Sequence, residues 1–237
     1  MKTEDRMEPK ARILQAASRL FSEKGYDGTR VYEIAEAAGV NKALIYYYFH
    51  NKEDILDSLV DSLMTGVYNI SLDFVNNCIR TMMREGRLSL AGDRFLFADQ
   101  GAVKYFKLNL NRYYADIVDY ALQNRHMVRI VMLESLKGGK HQGSLFKIME
   151  LLDSGPASSL HNSEKAADQE AHYGEDLVFF EFFFLIIPLL SMAAFYDEYK
   201  AKSHLSDERL RDLALRSYAL LAEGLGGRHI AVVEDKN

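Results

Sequence analysis

The most constraining feature of this chain is a pair of short helical patterns hinged on one glycine between residues 29 and 49. After Gly25-Tyr26-Asp27-Gly28, Thr29 is placed to cap a helix that carries Val31, Ile34, Ala35 and Ala38 on one side. Gly39 stops it. Asn41 is placed to cap a second short helix, which turns Ile45, Tyr48 and Phe49 inward. Two helices that cross so closely need a small residue at the crossing, here Ala35, and a turn residue tolerant of positive φ, here Gly39. Upstream, Pro9 to Lys24 sets Ile13, Leu14, Ala17, Leu20 and Phe21 on one face of a 3.6-residue period, with Pro9 in the first turn and Lys24-Gly25 at the end. Residues 1 to 52 therefore predict a three-helix, helix-turn-helix domain.

Charge divides the chain at the same place. Residues 1 to 52 hold nine Lys or Arg against seven Asp or Glu, whereas the remainder holds 20 against 27, within a net charge of −5. A mildly basic head on an acidic body suits a module that meets phosphate joined to a part with another task. With 48% hydrophobic residues and only three prolines, the body from 53 to 237 predicts helix throughout, and an all-α fold overall.

The run Ile13-Leu14-Gln15-Ala16-Ala17, with Leu20-Phe21, Lys24-Gly25-Tyr26, Thr29, Ile34-Ala35-Glu36-Ala37-Ala38-Gly39-Val40, Tyr46, Tyr48-Phe49 and Lys52-Glu53-Asp54-Ile55-Leu56, resembles the TetR (tetracycline-repressor-like) family of bacterial transcription regulators. The resemblance covers about 48 residues, Ala11 to Leu59. It implies double-stranded DNA as a partner, a homodimer, and a larger helical domain for ligand binding and dimerisation. By resemblance, Thr29, Tyr46 and Lys52 contact phosphate. The outward or N-terminal positions of the recognition helix are Asn41, Lys42, Ala43, Leu44 and Tyr47. Lys42 and Tyr47 are expected at base edges, with Ala43 and Leu44 against a thymine methyl. Tyr32 reaches either backbone or base, and His50 touches phosphate when protonated. Leu44 stands where the family commonly has Thr, so a polar contact is not carried over there.

In the body, Asn51 can cap a fourth helix with Asp54 in its first turn, and Leu56, Leu59, Val60, Leu63 and Val67 continue one stripe. Helices are expected at 68–83, 93–110, 112–136 and 144–152, with loops at 84–92, 137–143 and 154–174, the last either a surface excursion or a lid. Phe179 to Pro188 is apolar nearly all round, and the last helix, capped by Ser206 or Asp207, carries its own stripe. Phe180, Phe183, Phe184, Ile187, Leu210, Leu213, Ser217 and Leu220 are expected at a two-fold interface. A small, apolar or aromatic effector is expected among Tyr105, Asn109, Arg112, Tyr113, Tyr120, Met127, Met132 and Glu134.

Other chemistry lacks a pattern. The seven histidines have no metal-ligand spacing, so neither a metal nor another cofactor is expected. Gly138-Gly139-Lys140 fails as a phosphate loop because Glu134 and His141 stand at required Gly and Ser/Thr positions. Cys78, the single cysteine, excludes an internal disulfide and predicts an inert buried thiol and a reducing cytoplasm. The uncharged run Phe182 to Tyr196 is shorter than the roughly 20 residues of a membrane span and predicts a buried helix. The expected function is repression of an inverted-repeat operator, relieved by ligand. A ligand-independent DNA-binding dimer, or a helical enzyme with an incidental helix-turn-helix, would share much of this pattern.

Overall fold

The computed structural model describes residues 7–91, 94–138, 140–146, 179–226 and 230–232. The chain forms two compact units, residues 1–65 with 124–145, and residues 66–123 with 146–237.

The first unit opens with α1 (Pro9–Lys24), α2 (Val31–Ala37) and α3 (Lys42–Tyr48), then the first half of α4 (Lys52–Phe74). Ile13, Ala17, Phe21, Ile34, Ile45, Phe49, Ile55 and Leu56 are nearly or fully buried, as the apolar stripes require. Gly39 takes φ 63°, the left-handed turn expected of it. The Asn41 side chain accepts the Leu44 N–H at 2.8 Å, and Asn51 accepts that of Asp54 at 2.9 Å, so both of these caps form. Helix α2 begins differently: Arg30 is its N-cap, and the Glu33 carboxylate accepts the Arg30 N–H at 2.8 Å. Helix α7 (Arg125–Leu136) also belongs to this unit and packs along α1, where Ser22 and His126 share a hydrogen bond of 3.2 Å.

The second unit departs from the expected elements at several points. Beyond Phe74 the helix widens into a π-helical segment, Val75–Arg80, before α5 (Thr81–Arg84). The expected loop at 84–92 and the start of the expected helix at 93 form a hairpin of β1 (Leu88–Ala91) and β2 (Arg94–Phe97), with Leu88 opposite Phe97. Both of those side chains are buried, so a period-two pattern of large residues outweighed helix propensity. Strand β3 (Ile230–Val232) adds in parallel to β2, giving the sheet order β1-β2-β3.

Helix α6 then starts at Gln100, its Ala102 N–H donated to the Asp99 carboxylate at 2.6 Å, and runs to Gln123. Asn124 breaks the expected 112–136 helix in two. Behind the hairpin, Val75, Cys78, Ile79, Met82, Val103 and Phe106 form a core cluster. Cys78 is buried, and its thiol is pushed up to about 11 by that burial, which keeps it unreactive.

Only Ser144–Phe146 of the expected 144–152 helix is described, as one 3-10 turn; its remainder and the 154–174 loop lie outside the described residues. A second π-helical segment, Glu181–Ile186, leads into α8 (Ile187–Ala194), α9 (Tyr196–Ser203) and α10 (Asp207–Gly226), the last capped by Ser206 accepting the Arg209 N–H at 3.2 Å. Arg211 of α10 grips Asp119 of α6 with two hydrogen bonds of 2.5 and 2.6 Å. Among the described residues no single helix is long and apolar enough to cross a membrane. Glu181–Ala194 and Tyr196–Ser203 pass only as a pair, and a 64° bend separates them.

Gly66 of α4 is required by its neighbour. A methyl group there would overlap the Tyr120 hydroxyl oxygen and the ring carbons beside it. We expect Gly66→Ala to destabilise the chain by about 1–3 kcal/mol despite its better helix propensity. In a Tyr120→Leu background the same change should cost at least about 0.5 kcal/mol less, measured by denaturant unfolding as a double-mutant cycle.

Candidate nucleic-acid interface

Helices α2 and α3 spend one face on the core and leave the other to solvent. On the outer face, Tyr47 is 78% exposed, Tyr32 52% and Tyr46 48%, while Asn41, Lys42, Ala43 and His50 are exposed and Leu44 is half-buried. Large aromatic rings seldom project like this without a partner surface. Tyr48 turns inward, meeting Tyr47 edge to face at 5.0 Å and Phe49 at 6.4 Å. The Lys42 ammonium lies 5.6 Å from the centre of the Tyr46 ring, so a positive charge and a phenol share one edge of α3. His50 is paired with Asp54 at 3.4 Å when protonated.

Beside this face lies a cleft of about 360 Å³ lined by Asp27, Thr29, Arg30, Val31, Tyr32, Lys42, Tyr46 and Lys52. It gathers three cations from three different stretches of chain. Lys52 is held in place: its ammonium donates to the carbonyls of Tyr26 at 2.7 Å and Thr29 at 3.0 Å and sits 4.2 Å from the centre of the Tyr26 ring. An ammonium has three donors, so one remains for a ligand. Burial pushes the Tyr26 phenol up, and the charge of Glu53 adds to this.

Thr29 is a correction to the expected contacts. Its side chain is 1% exposed, and its hydroxyl donates to the carbonyls of Leu20 at 3.1 Å and Gly25 at 2.9 Å. That hydroxyl closes the turn between α1 and α2 and is turned away from solvent, so Thr29 neither caps α2 nor offers its oxygen outward. Arg30 was missed by sequence reasoning. It looked like an ordinary residue before a helix, and only the fold brings it alongside Lys42 and Lys52.

The start of α4 is held from the other side as well. Lys140 pairs with Asp57 at 3.1 Å and Glu53 at 3.4 Å, and the His141 ring nitrogens lie 3.7 Å from each of those carboxylates. Hydrogen bonding to Asp57 raises the Lys140 ammonium above its ordinary range. Lys137 bridges Glu134 at 2.5 Å and Asp27 at 3.2 Å. These contacts tie the residues after α7 to the turn that bears Lys52.

The expected effector residues are not brought together in either unit. Met127, Met132 and Glu134 lie on α7 in the first unit, where Met127 is buried and Glu134 is engaged by Lys137. Tyr105, Asn109, Arg112, Tyr113 and Tyr120 lie on α6 in the second, with Arg112 exposed and Tyr105 under the Arg87 guanidinium at 4.6 Å. Asn109 donates to the Tyr105 carbonyl at 2.9 Å, the usual bond of a solvent-facing helical amide. At the expected interface, Phe180, Phe183, Phe184, Ser217 and Leu220 are exposed, and Ile187 and Leu213 half-buried. Leu210 is a correction: it is 7% exposed and packs inside its own unit, because its face of α10 is turned inward with Ala214.

Residues 13–59 match the model of the bacterial regulatory proteins of the tetR family. Over 60 residues the chain is 42% identical to the HTH-type transcriptional regulator TtgR of Pseudomonas putida, a stretch covering 25% of this chain and 29% of that protein. Over 91 residues it is 36% identical to IcaR, the biofilm operon icaADBC HTH-type negative transcriptional regulator of Staphylococcus aureus (strain Newman), covering 37% of this chain and 44% of that one. The matched stretches thus span less than half of these transcriptional regulators. The fold is similar along nearly the whole chain to FadR of Bacillus subtilis, a transcriptional regulator solved in complex with stearoyl-CoA: TM-score 0.51, 19% identity, 90% of this chain and 98% of that one. The segment that builds the cleft and its exposed tyrosines is thus similar, over residues 13–59, to the tetR family of bacterial regulatory proteins.

Proposed function

We propose that the chain is a DNA-binding transcriptional repressor that acts as a homodimer on an inverted-repeat operator and is released when a small apolar or aromatic molecule binds its body. Residues 1 to 52 do the reading; the rest dimerises and senses. The observation that carries this is the outer face of α3, where Lys42, Tyr46 and Tyr47 stand exposed beside a cleft holding Arg30 and Lys52. None of these groups is spent on the core. Cations in the cleft neutralise phosphates and release counterions, which positions the head, while Lys42 and Tyr47 reach base edges in the major groove.

Dimerisation supplies the second head. Phe179, Phe180, Phe183 and Phe184 are all exposed and pack among themselves at 4.8 to 5.9 Å, with Leu220 and Leu221 also exposed on α10. An apolar surface of that kind favours burial against a second copy. A two-fold then sets recognition helices about 34 to 36 Å apart, one helical turn of duplex. Ligand release requires that the effector bind more tightly to a dimer whose heads are wrongly spaced. That a similar fold holds stearoyl-CoA supports a ligand in the helical body.

A duplex selected from a random pool provides the assay. We expect Tyr47→Ala and Lys42→Ala each to weaken binding to the selected duplex by about 1–3 kcal/mol, and to random duplex by much less. Lys52→Ala should weaken both and reduce the salt slope by about one. Equal losses for all three variants on every duplex would overturn this division of roles.

The dimer has its own test. The double change Phe180→Glu, Phe183→Glu should shift sedimentation from dimer to monomer and weaken operator binding at least about tenfold, with helical circular dichroism retained. A variant that stays dimeric would remove these phenylalanines from the interface.

A further inference from the structure

In the first unit, the segment that follows α7 carries a histidine whose surroundings suit its charged form. Both nitrogens of the His141 ring face a carboxylate, Nε2 at 3.7 Å from Glu53 and Nδ1 at 3.7 Å from Asp57. The side chain is only 13% exposed, and Nε2 is buried with no hydrogen-bond partner among the described residues. A neutral imidazole has one N–H and one lone pair, so it offers a donor to one carboxylate and turns its lone pair on the other. An imidazolium offers a donor to each. A buried polar atom left unpaired is costly, and protonation removes that cost at Nε2.

Charge balance around the ring favours the same form. The groups facing it are Glu53 and Asp57 on α4, Lys140 beside it in the chain, and Tyr26 from the turn after α1, whose ring meets it edge to face at 6.2 Å. Beyond them, Lys137 is engaged by Glu134 of α7 and by Asp27. Lys140 pairs with both α4 carboxylates, and hydrogen bonding to Asp57 keeps its ammonium charged, while burial keeps the Tyr26 phenol neutral. Two carboxylates therefore face one ammonium, and one negative charge is left for His141 to cancel. The ring is also presented by a fixed turn. The Ser144 N–H donates to the His141 carbonyl at 3.0 Å, the Gly143 N–H to that of Ser135 at 3.0 Å, and the Leu145 N–H to the Ser135 hydroxyl at 3.1 Å.

Its neighbours connect this ring to the cleft beside α3. Tyr26 touches His141 and also lies under the Lys52 ammonium, 4.2 Å from the centre of its ring. Glu53 follows Lys52 directly, and Asp57 stands one turn further along α4. We propose that His141 is a proton-operated clamp on the start of α4: protonated, it bridges Glu53 and Asp57, steadies the turn that carries Lys52, and tightens the hold on duplex. This rests on the duplex-binding function proposed above and adds its regulation. Protonation also cancels a negative charge beside Lys52, which favours phosphate with the same sign. Histidine changes charge between about pH 5 and about pH 8, so the clamp is made at the low end and lost as pH rises. By linkage, binding of duplex takes up protons over that range.

At constant ionic strength, the full chain should bind its selected duplex at least about fivefold more tightly at about pH 6 than at about pH 8. His141→Gln, which cannot take a charge, should remove most of that dependence by weakening binding at the lower pH. His141→Lys, charged throughout, should keep binding tight at the higher pH. Glu53→Gln and Asp57→Asn should each shrink the dependence, whatever they do to the affinity itself. The part that His141→Gln removes should be the same in a His50→Gln background, which takes away the titratable histidine of the outer face. Without duplex, nitrogen-15 NMR of histidine-labelled chain reads the clamp itself. At about pH 6 both ring N–H groups of His141, identified by their loss in His141→Gln, should exchange slowly enough to be observed, and Glu53→Gln and Asp57→Asn should each release one of them.

A pH dependence of duplex binding that survives His141→Gln, or that Glu53→Gln and Asp57→Asn both leave untouched, overturns the proposal. So does a His141 ring that loses both N–H signals to solvent exchange at about pH 6. The two claims fail separately. Slow exchange at both nitrogens in a chain that binds no duplex at any pH keeps the bridge to α4 and overturns the duplex-binding function. Selective duplex binding with one affinity at either pH does the reverse.

Discussion

Two seven-residue helices cannot stand alone in water, since isolated helices below about 12 residues are marginal. Everything in the first unit follows from how α2 and α3 are stabilised. Ile34, Ala35 and Ala38 from one, and Ile45 with Phe49 from the other, are driven into the α1 stripe of Ile13, Ala17 and Phe21. Gly39 makes the turn between them possible. The core consumes one side of each helix and nothing of the other. Tyr32, Lys42, Tyr46 and Tyr47 are thereby released from any folding duty, and a rigid, solvent-facing surface is available for recognition.

The buried turn at Thr29 is the second support. Its hydroxyl donates to the Leu20 and Gly25 carbonyls at the end of α1, while the Lys52 ammonium donates to the Tyr26 and Thr29 carbonyls. One consequence is mechanical: the start of α4 is attached to the turn before α2. The other is electrostatic, because a lysine pinned by two carbonyls holds its charge at a fixed point in the cleft. Lys137, Lys140 and His141 extend that attachment to the residues following α7.

The exposed outer face of α2 and α3 was legible because it rests on local chemistry. Cap residues such as Asn41 and Asn51, the left-handed Gly39 and the 3.6-residue stripes all declare themselves within a few positions. The roles of Thr29 and Arg30 were not legible, since which of two neighbours turns inward depends on carbonyls at Leu20 and Gly25 and on Lys52. In the body, the hairpin at 88–97 was hidden by its shortness. Two four-residue strands carry too few alternations to compete with a helical pattern, and β3 pairs from more than 130 residues away. The broken helix at Asn124 and the two π-helical segments have no local signature that periodicity detects.

Taken by itself, the sequence determined the helix-turn-helix, its Asn41 and Asn51 caps, its core stripe and its exposed outer face, because each follows from side chains within one or two turns of one another. It also determined that Cys78 is an inert buried thiol. Only the tertiary structure decided that Leu210 packs inside its own unit while Phe180, Phe183 and Phe184 stay exposed, that α7 joins the first unit, and that Ser71 of α4 meets Tyr113 of α6. Those outcomes depend on the burial of one segment by another far along the chain, and desolvation is a property of the assembled interior that no single stretch carries.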